Sequence, residues 1–194
     1  SFECDRITRT SLYAHFSLQG LDFSFTNNGA MKVSGSQSGN FSKSILLGSN
    51  QGVVLENVEA DTLRVRSNKI INSGNSLISN LMLEGVEDKF NQNVFINDGT
   101  LTVDELLLKN LKVGNCESVL AERLGIEGKV EFEGSFNTNE VVVKENASLK
   151  LENGSFKTLL LNKNSSLEVK DKLHLDVLKS IDGSIKNANS ISIN

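Results

Sequence analysis

The side chains able to do chemistry are few and scattered. There are two histidines, His15 and His174, and two cysteines, Cys4 and Cys116. His174 falls in Leu173-His174-Leu175, the outward place between two inward apolar residues, and reads as a solvent-facing strand residue. His15 lies near Tyr13 in an irregular stretch. Neither histidine has a cysteine or carboxylate at metal-ligand spacing. The cysteines stand 112 residues apart, and a disulfide framework would use more of them. They read as separate thiols, at least one of them buried. Glu131 and Glu133 flank Phe132, which points both carboxylates out of one strand. Grouped carboxylates are what glycoside hydrolysis needs, one as acid and one as base or nucleophile. Asp104-Glu105 and Glu87-Asp88 are further adjacent acids. With 24 acidic residues in the chain, however, such pairs arise as the outer face of a solvated sheet. No catalytic, cofactor-binding or metal-binding residue is assigned, and no cofactor is implied. Four N-x-[ST] sequons occur, at Asn40, Asn146, Asn153 and Asn164, and matter only in a host that glycosylates.

The elements that would hold these side chains repeat. The C-terminal third divides into three lines of 18 residues, Glu140 to Lys157, Thr158 to Leu175 and Asp176 to Ile193. Val141 then stacks on Leu159 and Val177, and Leu149 on Leu167 and Ile185. Ala147, Ser165 and Gly183 form a column of small residues, and Ser155, Leu173 and Ile191 a column that turns apolar. Each line carries short apolar-x-apolar strands such as Leu149-Lys150-Leu151 and Leu167-Glu168-Val169, with one side in and one side out. Turn formers such as Glu152-Asn153-Gly154 and Asp182-Gly183 separate them. Earlier in the chain, Leu106 precedes Leu124 by 18 and Leu63 precedes Leu81 by 18, while Leu81 precedes Leu101 by 20.

Three-residue strands are too short to be stable alone. Coiling the chain lets each strand pair in parallel with its copy one coil on, at about 4.8 Å, so that apolar columns stack inside. The expectation is an all-β, right-handed parallel β-solenoid with coils of about 18–20 residues and roughly ten coils in all. A β-sandwich has no reason to keep this self-similarity, and a leucine-rich repeat needs L-x-x-L-x-L-x-x-N, which is missing here. Residues 53–194 read as the solenoid. Residues 1–52 read as its irregular β start or a small β-domain. Ser118 to Arg123 is the one stretch that reads briefly helical. Outward Lys150, Glu168 and Lys186 line up with alternating sign, which favours pairing between neighbouring coils.

Composition narrows the function classes. Hydrophobic residues are 38% and aromatic ones 6%, with ten Phe and no Trp, which suits a narrow interior filled by Leu, Ile and Val. Proline is absent, as expected of a backbone held mostly in ladders. The net charge of −4 comes with no basic cluster, so nucleic-acid binding has no electrostatic footprint. No apolar run is long enough to span a membrane, and the first residues do not read as a signal peptide. The chain starts and stops within its pattern, which predicts a segment cut from a longer protein.

Short apolar-x-apolar strands, Asn-Gly and Asp-Gly turns and the absence of proline over Gly52 to Asn194 resemble the repeat regions of filamentous-haemagglutinin-type exoproteins. These include two-partner-secretion adhesins and contact-dependent toxins, and autotransporter passenger domains are similar. The resemblance implies a non-enzymatic stalk or adhesive segment of a larger bacterial virulence protein, secreted or on the cell surface. It also implies a protein or glycan receptor on another cell, while uncovered coil ends would expose strand edges and allow association end to end or edge to edge. The alternatives are a carbohydrate-active β-helix enzyme and an intracellular scaffold segment of a large effector.

Overall fold

A computed structural model of the chain describes residues 2–3, 23–27, 31–36, 44–49, 51–87, 89–186 and 189–193. It is all-β, 76% strand, with stacked coils forming a parallel β-solenoid of about eight turns. Among the described residues all strand pairings are parallel, with the register shifting only near Ser34–Gly35 and between Glu127 and Val130.

Each coil has three flat sides. The first side stacks 44–49, 62–67, 80–84, 105–109, 123–127, 140–143, 158–161 and 177–180. The second stacks 53–56, 69–72, 94–97, 112–114, 129–131, 148–151, 166–169 and 184–186. The third stacks 75–78, 100–103 and 119–121 as one ladder and 135–138, 153–156, 172–175 and 190–193 as another. Between the two, the Thr138 hydroxyl donates to the carbonyl of Ala121 at 2.7 Å.

Inward residues build one continuous apolar core, from Met31 and Leu47 through Leu63, Leu81, Leu106, Leu124, Val141 and Leu159. A narrow interior leaves little room for large rings, so Leu, Ile and Val dominate, with Phe95, Phe132, Phe136 and Phe156 filling single places. At the last coil the inward residues Leu178, Ile191 and Ile193 are exposed, with no described coil stacked beyond them.

The corners are made by residues that tolerate a left-handed backbone. Asn146, Asn164 and Asp182 occupy one corner in successive coils, with φ of 58°, 56° and 55°. Asn57, Asn110 and Asn115 turn other corners in the same way. Asparagine and aspartate adopt this conformation more readily than other side chains because their short polar groups bond locally. The high asparagine content is thus in part a corner signature.

Several expected alignments shift. The coil that starts at Lys172 is one residue out of the 18-residue lines, because Lys170 and Asp171 lengthen the preceding corner. Leu178 rather than Val177 pairs with Leu159, and Leu173 pairs with Gly154 rather than Ser155. The column that seemed to turn from polar to apolar is therefore Gly154, Leu173 and Ile191, inward throughout. Leu81 stacks on Leu106, not Leu101, because residues 85–93 are an insertion carrying the 3₁₀ turn Phe90–Gln92. Insertions of this kind, together with residues 4–22 lying outside the described ones, bring the turns below ten. Only Ser118 of the stretch Ser118 to Arg123 is helical, as the end of a 3₁₀ turn at Cys116–Ser118 that passes straight into the strand Val119–Phe132. Ladder pairing with 101–103, and the burial of Val119 and Ala121, override the local helical preference.

Candidate functional surface

The second side carries the outward charge column expected from sequence, and it is longer than expected. Lys112, Glu131, Lys150, Glu168 and Lys186 follow one another through in-register pairs, alternating in sign. Lys150 and Glu168 meet at 2.8 Å. The hydrogen bond and charge of Glu168 push the Lys150 pKa up. Glu131 therefore lies between lysines, and it also reaches Lys129 at 2.9 Å. Glu133 points out beyond buried Phe132 and is exposed. Only Glu131 lies in the strand Val119–Phe132, between lysines of the neighbouring coils, whereas Glu133 stands in the bend just past its end, beside Gly114 and close to the coil neighbour Glu152, so the two carboxylates do not share one strand as expected.

Other chemistry-bearing residues are dispersed. His174 is outward and exposed between buried Leu173 and Leu175, with Asp176 at 3.8 Å. Cys116 is buried, and its Sγ donates to the carbonyl of Ser135 at 3.3 Å. Glu105 points outward to Arg123 at 2.8 Å. Glu87 is exposed in the insertion. Asn146 and Asn164 are exposed at their corner, where the Asn164 amide donates to Asn146 Oδ1 at 3.2 Å. Asn153 is half-buried and accepts from the backbone N–H of Lys172 at 3.2 Å. His15, Tyr13, Cys4, Asn40 and Asp88 lie outside the described residues. Among the described residues no group of three or more His, Cys, Asp or Glu could hold a metal ion, and no helix is long and apolar enough to cross a membrane.

No known protein family matches the chain, and no curated protein and no solved structure does. What can be said of function therefore comes from the surface itself.

Two features stand out there. The first is the insertion at 85–93. The Asn93 side chain is fully buried and ties this loop down: its amide donates to the carbonyls of Val86 at 2.7 Å and Asn110 at 3.0 Å, and its oxygen accepts from the Val86 N–H at 3.2 Å. The Phe90 ring lies under the Lys129 ammonium, 4.4 Å from the ring centre. The loop thus stands as a fixed projection beside a shallow depression lined by Val86, Lys89, Phe90 and Asn110. In repeat folds, insertions collect where partners bind.

The second is the first side, whose outer surface is not polar along its middle. Met82, Leu107, Gly125, Val142 and Leu160 pair in succession at outward positions and are only half-buried. Sequence reasoning centred on apolar-x-apolar strands passed over this stripe. The signal was present in Leu81-Met82-Leu83, Leu106-Leu107-Leu108, Val141-Val142-Val143 and Leu159-Leu160-Leu161, where the middle residue is apolar too. At one edge of the same side Glu84 is 2% exposed and bridges Arg64 at 2.7 Å and Lys109 at 3.0 Å. Burial alone would push its pKa up, but the hydrogen bonds and charges of the two cations outweigh that and hold it below the usual value.

Proposed function

We propose that this chain is a non-enzymatic rod, a stalk or adhesive segment of a larger bacterial protein that is secreted or held at the cell surface. The observation that carries this reading is the continuous stacking of the first and second sides through successive coils. Such a fold spans distance with few residues, and each coil is supported by its neighbours. The resemblance of the repeats to filamentous-haemagglutinin-type exoproteins and autotransporter passengers supports the surface location. The ion-paired outer columns and the projecting insertion offer contact surfaces for a protein or glycan receptor on another cell.

The test uses the purified chain, fluorescently labelled, on cultured animal cells and on bacteria, with the insertion variant Phe90→Ala in parallel. Saturable binding that the unlabelled chain competes away supports the adhesive reading. Release of new reducing ends from pectic or other acidic polysaccharides would overturn the non-enzymatic reading.

A further inference from the structure

We propose that the first side of the solenoid packs against the same side of a second copy of this chain, the two rods lying parallel about a two-fold axis that runs along them. Pairing of this kind does not depend on the adhesive role.

The apolar stripe gives the first reason. A parallel sheet with continuous apolar triplets is the pattern of a sheet covered on both faces. Here Leu81, Leu83, Leu106, Leu108, Val141, Val143, Leu159 and Leu161 face the core, and Met82, Leu107, Val142 and Leu160 face out. All described strands belong to the solenoid itself, and none crosses this stripe. Gly125 lies in its middle, and the Leu107 side chain leans over it: a Cβ there would stand 2.8 Å from Leu107 Cδ1.

Charge gives the second reason and chooses the occupant. The stripe is bordered by two charged columns, and in three consecutive coils the borders carry opposite signs: Glu105 and Lys109, then Arg123 and Glu127, then Glu140 and Lys144. A two-fold axis along the rods sets one border of each copy against the other border of its mate at the same height. Glu105 then faces Lys109, Arg123 faces Glu127 and Glu140 faces Lys144, so the three middle coils of the stripe are complementary. An antiparallel pair centred on the same coil would put Arg123 against Arg123. Within one copy these charges are also linked along the rod, Arg123 to Glu105 at 2.8 Å and to Glu140 at 3.4 Å, and Lys144 to Glu127 at 2.5 Å. They are therefore held in place to select orientation, which is what rim charges do best.

Five coils at about 4.8 Å and a strand of five residues at about 3.3 Å each make a footprint on the order of 400 Å² per copy. That is about half of a standard interface, so the pair is weak and forms at micromolar or higher concentration.

The experiment is sedimentation of the full chain from about 1 to 500 µM, a span chosen around that weak affinity. The expected result is a rise in mean mass from 21.2 kDa toward twice that value. Val142→Lys and, independently, Leu160→Glu are expected to hold the chain monomeric while leaving the circular dichroism spectrum unchanged, since both positions face solvent. Orientation is read with the native cysteines replaced by serine. Leu107→Cys is expected to cross-link to itself, as parallel rods require. A single 21.2 kDa species throughout overturns the proposal. So does a dimer that survives Val142→Lys but is lost with Ile191→Lys in the last described coil. Cross-linking of Leu107→Cys only to Val142→Cys would overturn the parallel arrangement.

Discussion

Asn72 and Asn97, 25 residues apart in sequence, sit one above the other inside the solenoid, and the Asn72 amide donates to Asn97 Oδ1 at 2.7 Å. Both are almost fully buried. Asn72 also donates to the carbonyls of Gly74 and Thr100 and accepts from the Ser76 hydroxyl at 2.7 Å, and Asn97 donates to the Gly99 carbonyl at 2.8 Å. Each amide closes a corner and ties it to the next coil.

Asn72→Ala is expected to cost about 2–4 kcal/mol, because it leaves the Asn97 oxygen, the Ser76 hydroxyl and two carbonyls buried without their partner. Chemical denaturation of the variant checks this, and a change below about 0.5 kcal/mol would show that water replaces the amide.

Glu84 supplies a pH test. Its pKa is lowered in the folded state, so its contribution is present above the ordinary value of 4.5 and is lost as pH falls through the lower folded value. Glu84→Gln is expected to lower the unfolding midpoint at pH 7 by about 2–6 °C, given partners that are partly exposed. The gap between variant and wild type should close at an acid pH well below 4.5, where the carboxylate has gained its proton in the folded state as well. Calorimetry at the two pH values reads it; an equal gap at both would mean that shape and not charge makes the difference.

Two glycines should respond differently to alanine. A Cβ on Gly99 would stand 2.1 Å from the backbone oxygen of Gly74 in the coil beside it, whereas on Gly125 it would meet only the tip of Leu107. Gly99→Ala forces the coils apart and is expected to cost more than about 2 kcal/mol. Gly125→Ala displaces one half-exposed side chain and should stay within about 1 kcal/mol. Equal losses in thermal unfolding would contradict this ordering.

Asn164 stands at a corner with φ of 56°. Asn164→Ala should cost about 1–2 kcal/mol for the left-handed backbone, and Asn164→Gly close to nothing. If both variants lose the same amount, the amide bond to Asn146 rather than the backbone carries the effect.

The period of the repeat was legible because each coil must place the same kind of residue at the same inward point, so burial writes itself into sequence as a spacing. Val130, Leu149, Leu167 and Ile185 show it, and so does the charge column through Lys150 and Glu168. What spacing cannot carry is where the corners gain or lose a residue. One extra residue before Lys172 moved Leu178 into the place expected for Val177, and the insertion at 85–93 sent Leu81 to Leu106. Corners face solvent and change length at little cost, so nothing in the local sequence marks the change; only the ladder, with its backbone hydrogen bonds, settles the register. The outward stripe of Met82, Leu107, Val142 and Leu160 shows the same division. Each apolar triplet is visible alone, but their alignment into one surface bordered by complementary charges exists only once the coils are stacked.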